Sequence, residues 1–450
     1  MPAMTAIPPA TPATAPEPAA KPVPETAQST VFVPMAPETP EKTGLDPGIV
    51  ESLILKYLAG VGTATGADIA EAVCLPAEHI TQQLAALKQQ QIIVYVGAGQ
   101  VGDFTCGLTD AGRDRARRFM LESMYVGPAP VTLDDYVASV AAQTITAKNP
   151  QEHHLREAFS DLLISPEMFG ILGPAINSGR GMFLYGYAGN GKTSIAERIT
   201  KCFGDTIYIP HCVVVDGLVI KLFDAAQHVV VEEKRSSILK KDRLDRRWVR
   251  IQRPTITVGG ELTLDALEVR YNPTSKTCEA PTQMKSNCGT LLIDDFGRQR
   301  MQPIELLNRW IVPLEKRFDF LALPNGKKIR IPFDQLIIFA TNLEPKDLCD
   351  DAFLRRIPYK INVPDPSEAD FRRLFELVGP KLGFTIDEEA RRAIDHLVNT
   401  HYKPQGRPFR CCQPRDLLLQ VRNRCLYLGQ PPRLTPDLFD YAVSVYFTIM

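Results

Sequence analysis

A run of glycines closed by a lysine and a threonine, Gly186-Tyr187-Ala188-Gly189-Asn190-Gly191-Lys192-Thr193, is suited to holding a chain of phosphates. Glycine lets successive backbone N–H groups turn inward on an anion, and the helix-forming stretch that begins at Ser194 would place a helix N-terminus behind them. Lys192 is positioned to reach the β- and γ-phosphates, and Thr193 to offer its hydroxyl to Mg²⁺. The apolar run Gly181 to Tyr185 reads as the strand that feeds the loop, so strand, loop and helix follow in the order a phosphate cradle requires. An unliganded glycine turn would give no reason for the Lys-Thr ending.

About a hundred residues after the loop, Gly289-Thr-Leu-Leu-Ile-Asp294-Asp295 reads as a buried parallel strand ending in two carboxylates. Strand ends are where α/β sheets place their chemistry. Asp294 is the candidate for Mg²⁺, directly or through water, and Asp295 for orienting or activating the water that attacks the γ-phosphate. Acidic pairs are common at surface turns, and it is the position after the loop, in the same α/β pattern, that distinguishes this one.

Together these motifs resemble the AAA+ ATPase family, and the resemblance extends over roughly residues 150–450. Gln335 to Leu343 is similar to the sensor-1 strand, with Asn342 as the polar residue that helps position the attacking water. Asp350 to Ile357 is similar to the helix end that carries the arginine finger, which completes a neighbouring subunit's site; Arg356 is favoured and Arg355 is the substitute. Arg415, at the head of a helix opened by Gln413-Pro414, stands where the sensor-2 arginine would be. The resemblance implies ATP and Mg²⁺ as ligands, hydrolysis at subunit boundaries, and a homo-oligomeric ring of six. Phe318 to Phe333 reads as a β-hairpin about the two-residue turn Asn325-Gly326, of type I′. A hairpin there resembles the pre-sensor-1 branch: MoxR-like ATPases, magnesium chelatases, enhancer-binding activators and minichromosome helicases. In those rings it points to the pore, where Lys327 and Lys328 would touch substrate or stand solvated.

The fold expected is α/β: a P-loop core with a parallel sheet over 151–366 and an α-helical lid over 367–450, with helical patterns near 367–379, 386–400, 413–427 and 435–448. The second sheet strand is expected within 207–215, with a helix over 216–240. Residues 228–288 then form an insertion whose arginines between Lys241 and Arg253 suit a pore or subunit contact, and whose Trp248 suits an anchor. Ahead of the core, 45–124 shows three helices near 48–59, 66–73 and 77–90 and two strands about Gly97-Ala98-Gly99, which looks like a winged-helix domain. Between 46 and 124, nine acidic against six basic residues give −3, a poor DNA footprint, so protein docking is favoured. The arginines at 113–118 are the best case for DNA. Residues 125–150 read as a linker with a short helix near 132–143, and His153-His154 lack the further ligands a metal site needs.

Residues 1–44 form a Pro/Ala-rich tail, with eleven prolines in the first forty positions, and are expected to be disordered, Val31-Phe32-Val33-Pro34 being the one apolar cluster able to dock. No signal-peptide pattern and no membrane-length apolar run is present, and the ten cysteines show no CxxC pair, which points to reduced thiols in the cytoplasm. A net charge of −1 offers no bulk attraction to nucleic acid or anionic membrane. The reading is therefore an ATPase that remodels an unidentified protein client. A DNA-bound, ATP-switched transcription or replication factor and a nucleotide-gated scaffold with little turnover stand as alternatives, the last because Asp295 occupies a position where the family more often has Glu.

Overall fold

The computed structural model describes residues 32–98, 103–232 and 244–448. The chain divides into two units, Met1–Val31 and Phe32–Met450, and the first lies wholly outside the described residues. At the centre of the second is a five-stranded sheet. Its strands are β1 (Met182–Tyr185), β2 (Thr255–Val258), β3 (Thr290–Ile293), β4 (Leu336–Thr341) and β5 (Tyr359–Asn362), all parallel in the order β2-β3-β4-β1-β5. β3 and β4 are buried at every position, as strands covered on both faces must be. Alternate side chains enter two cores: Leu184, Leu292 and Ile338 pack with the helix Lys192–Lys201, and Phe183, Ile293 and Phe339 pack with Trp310 and Phe353. Because β1 lies between β4 and β5, the loop leaving β1 opens beside the end of β4, one strand from the end of β3.

The second sheet strand is Thr255–Val258, not a segment within 207–215. Thr206–Pro210 pairs antiparallel with Trp248–Gln252, and Cys212–Val215 folds back on Leu218–Lys221 across Asp216-Gly217. Both turn residues have positive φ, 49° and 77°, the requirement of a type I′ turn that Asp-Gly meets at little cost. The expected helix over 216–240 is therefore absent where the chain is described; residues 233–240 lie outside it. This hairpin is the middle of a further sheet, ordered Arg270–Asn272, Thr277–Glu279, Leu218–Lys221, Cys212–Val215 and Val131–Thr132.

That last strand comes from 125–150, so the segment expected as a linker is built into this sheet. Its helix, Leu133–Ala142, buries Tyr136, whose hydroxyl accepts from Asn287 Nδ2 at 2.7 Å. Three basic residues of the insertion, Arg247, Arg250 and Arg253, are likewise used internally, whereas Arg246 is half exposed and pairs with Glu71. Arg247 and Asp245 form a buried pair at 2.8 Å, and Arg247 also donates to the carbonyls of Thr43 and Pro130. Arg253 donates to the carbonyls of Gln143 and Cys288, and Arg250 to Thr206 Oγ1. These side chains do not form the exposed contact surface expected of them; Lys241 and Arg243 lie outside the described residues. Trp248 is buried, as an anchor should be, and Phe32 meets it edge-on at 5.6 Å. Asp245 N donates to Pro34 O at 3.0 Å. Residues 32–44 thus pack on the body instead of belonging to a disordered tail.

Phe318–Ala322 and Lys328–Pro332 form the expected antiparallel hairpin, but over a longer loop. Gly326 N donates to Leu323 O and carries φ 81°, while Asn325 keeps negative φ, so Pro324-Asn325 occupy a type I turn with Gly326 supplying the left-handed bulge. The Pro at the first central position favours this turn over type I′. Lys327 bonds Asp216 at 2.6 Å and so links the two hairpin tips.

Toward the N-terminus, helices Pro47–Val61, Gly66–Val73 and Ala77–Gln89 surround an antiparallel sheet ordered Thr63–Thr65, Phe104–Leu108, Ile93–Ala98, followed by the helix Asp110–Glu122. Its core includes Cys212 of the Cys212–Val215 strand, and Ala129 N donates to Val73 O. Of the arginines at 113–118, Arg113, Arg115 and Arg117 pair with Asp110, Glu51 and Asp114.

The C-terminal part is helical: α1 (Glu368–Val378), α2 (Glu388–His396) prolonged by a π-helical turn Leu397–Tyr402, α3 (Gln413–Tyr427) and α4 (Pro436–Tyr446), packed around Phe371, Phe375, Tyr402, Leu417 and Phe439.

Candidate functional site

The loop 186–191 leaves the C-terminal end of β1 and enters the helix Lys192–Lys201. Gly186, Gly189 and Gly191 hold φ of 133°, 84° and 82°, and a Cβ at Gly186 would lie 2.5 Å from Val363 O. Lys192 is 8% exposed, with its Nζ donating to the carbonyls of Gly186 (2.9 Å) and Tyr187 (3.0 Å) and to Asn342 Oδ1 (2.7 Å). Burial holds this ammonium below the usual lysine range and Arg410 adds to the effect, while the carboxylates of Asp294 and Asp295 oppose it. Tyr187 and Ala188 form the exposed rim, and Ser194 lies in the first helical turn.

Sheet order brings three further predicted residues to the same edge. Thr193 Oγ1 donates to Asp294 Oδ2 at 2.9 Å, and Asn342, just past β4, turns its Nδ2 toward Asp295 Oδ1 at 3.4 Å. Asp295 is exposed and left-handed (φ 48°), a conformation that Asp tolerates. Gln299 fixes the turn: its Nε2 donates to the carbonyls of Asp294 and Asp295, and its Oε1 accepts from Gly297 N.

The lid arginine on the loop is Arg410. Its guanidinium stands 4.2 Å over the Tyr187 ring and pairs with Asp365, which also accepts from Asn190 Nδ2 at 2.6 Å. Cys412 N donates to Gly189 O at 2.8 Å. Arg415, expected here, has a side chain 64% exposed and pairs with its neighbour Asp416. Arg410, Asp365 and Gln299 escaped the sequence reading. Asp365 carried a usable signal, since it follows the end of a core strand.

Arg355 and Arg356 lie at the opposite edge of the sheet. Tyr359 of β5 pairs with Met182 at the start of β1, whereas the loop departs after Tyr185, so the helix Asp351–Arg356 ends away from the loop. Arg356 Nε donates to Glu315 Oε1 at 2.6 Å, Arg355 is exposed, and both line an open cleft with Arg180 and Arg317.

The donors fit a nucleoside triphosphate with Mg²⁺. A helix N-terminus and one buried ammonium suit the phosphates, and a hydroxyl beside a carboxylate supplies the hard oxygen ligands Mg²⁺ prefers. Thr193 and Asp294 would hold the ion, which would neutralise charge between the phosphates.

Residues 367–445 match a family described as a domain of unknown function, DUF8689. No curated protein matches. Among solved structures, NtrX from Brucella abortus in complex with ADP is similar at 16% identity and TM-score 0.38, covering 63% of this chain and 56% of that one. The chain therefore spans little more than half of that structure. A second NtrX structure from the same organism gives 16% and 0.38, over 62% and 55%. The Thermotoga maritima RuvB Holliday junction branch migration motor gives 13% and 0.32, over 62% and 67%.

Proposed function

We propose that this chain binds Mg·ATP at residues 186–194 and hydrolyses it as an AAA+-type ATPase that remodels a protein partner. The observation that carries this is the convergence of Lys192, Asn342, Asp295 and the Thr193–Asp294 pair at the C-terminal ends of three neighbouring parallel strands. Lys192 holds the β- and γ-phosphates, giving up its present carbonyl and amide partners. Asn342 and Asp295 orient a water on the γ-phosphorus. As the water oxygen bonds to phosphorus and the bond to the β–γ bridging oxygen breaks, Asp295 accepts the proton.

Arg355 and Arg356 stand too far round the sheet to serve their own loop, which supports assembly into a ring, six-membered by resemblance, in which they complete a neighbour's site. Arg355 is the better placed because it is exposed, while Glu315 holds Arg356. The N-terminal module acts as recruiter through protein contacts: its arginines are largely paired with its own carboxylates, leaving little charge to neutralise nucleic-acid phosphates and release their counterions. Ten unpaired cysteines fit a reducing compartment such as the cytoplasm.

ATPase assays of the wild type, Asp295→Asn and Arg355→Ala test the reading: turnover in the wild type that drops in both variants supports it. Wild-type turnover no faster than the variants would leave the scaffold reading, which the shorter Asp295 side chain favours. Tight, salt-sensitive DNA binding by the full chain would replace the protein recruiter with a DNA reader.

A further inference from the structure

We propose that His396, His401 and Asp440 form a zinc-class divalent-metal site that ties α4 of the lid to the end of α2, apart from the nucleotide loop. Two imidazoles and one carboxylate are a ligand set this ion class takes, and their ligand atoms all lie within 4.8 Å of one another. His396 Nε2 and His401 Nε2 both point at Asp440 Oδ1, at 2.7 and 2.5 Å, and the two rings stand edge to face with centroids 5.7 Å apart. Tetrahedral zinc with ligands near 2.0–2.1 Å separates its donors by roughly 3.3 Å, so small side-chain rotations would open the present cluster around an ion.

The backbone supplies an independent reason to regard this as a built site. Residues five apart on an α-helix diverge by roughly 140° around the axis, which would aim His396 and His401 at different neighbours. The chain instead forms a π-helical turn over Leu397–Tyr402, whose i→i+5 closure brings the two rings to one side. Such turns are uncommon and recur at functional sites. The second shell also fits: Thr400 Oγ1 lies 3.3 Å from His396 Nδ1, where it can accept the N–H that leaves Nε2 open for metal. His401 is more enclosed than His396 and Asp440, whose side chains are 31% and 45% exposed, giving the ion an entry path and a fourth position for water.

The site bridges helices separated by the whole of α3, so an ion there would hold the last helix against the lid and restrict how the lid moves over the loop. To ligate through Nε2, each imidazole must carry its N–H on Nδ1, the tautomer that Thr400 Oγ1 favours at His396.

The test uses the full chain, stripped with chelator and kept reduced, titrated with zinc chloride by calorimetry and with cobalt(II) by visible absorption. Wild type is expected to bind one equivalent of zinc, raise its Tm on binding, and give an intense cobalt spectrum without thiolate charge-transfer bands. His401→Ala and Asp440→Asn should each lose that equivalent and the Tm shift, while Lys192→Ala keeps both. Asp440→Asn preserves the side-chain shape, so its result decides should His401→Ala fail to fold. Absence of zinc uptake by the wild type, unchanged stoichiometry in Asp440→Asn, or a thiolate-type cobalt spectrum that persists in the variants would overturn the proposal.

Discussion

Lys192 concentrates the electrostatics of the site, since three oxygens accept from one buried ammonium. Each charge-assisted bond to a phosphate is worth about 1.5–3 kcal/mol, so Lys192→Ala is expected to weaken ATP binding by on the order of a hundredfold or more. The pH dependence has a definite sign. Burial has lowered the ammonium's pKa, so alkaline solution discharges it earlier than an ordinary lysine, and affinity should fall as pH rises through that lowered value. Binding measured in that range should take up protons, seen as a buffer-dependent heat in calorimetry. Asp295→Asn is expected to retain nucleotide and lose roughly 10²-fold or more in hydrolysis, read by phosphate release. The loop and acidic pair were legible because their chemistry demands particular residue types in a row. Arg410, Asp365 and Gln299 were not, because they reach the site from separate segments through folding.

Elements misread from the sequence share a cause: local pattern was overruled by a turn or by pairing. Ile207-Tyr-Ile209 and Cys212 to Val215 are good strands, but they pair outside the core sheet, while the less conspicuous Thr255–Val258 takes the core position beside β3. Asp216-Gly217 between two β-branched runs was a readable hairpin signal. Gly217→Val is expected to cost about 1–3 kcal/mol, because a β-branched residue would be forced to φ 77°; denaturant unfolding checks it. His396 and His401 were missed for the opposite reason, since their spacing matches neither turn of an α-helix and acquires meaning only through the π turn. The lid helices, by contrast, were visible from periodicity, and α3 runs over the expected 413–427.

Across the whole chain, the insertion joins the N-terminal module, the segment 125–150 and residues 32–44 to the core. Phe32→Ala should lower stability by about 1–3 kcal/mol through the lost contact with Trp248. Lys56 of the first helix is 4% exposed and donates to Ser123 O, and burial brings its pKa down to about 8. Below that pH folded and unfolded chains both carry the proton and the burial cost is fully present. Between about 8 and the ordinary lysine value of 10.5 the unfolded chain binds more protons, so stability should rise with pH there. Lys56→Met is expected to remove this dependence and stabilise the chain at neutral pH, by on the order of 2–3 kcal/mol.

The binding of a triphosphate by residues 186–194 underlies every larger claim, and calorimetric titration of the purified full chain with ATP in Mg²⁺ measures it directly. The account predicts one nucleotide per chain for the wild type, with affinity dependent on Mg²⁺ and largely lost in a folded Lys192→Ala variant. No uptake by the wild type, or equal uptake by the variant, would contradict it.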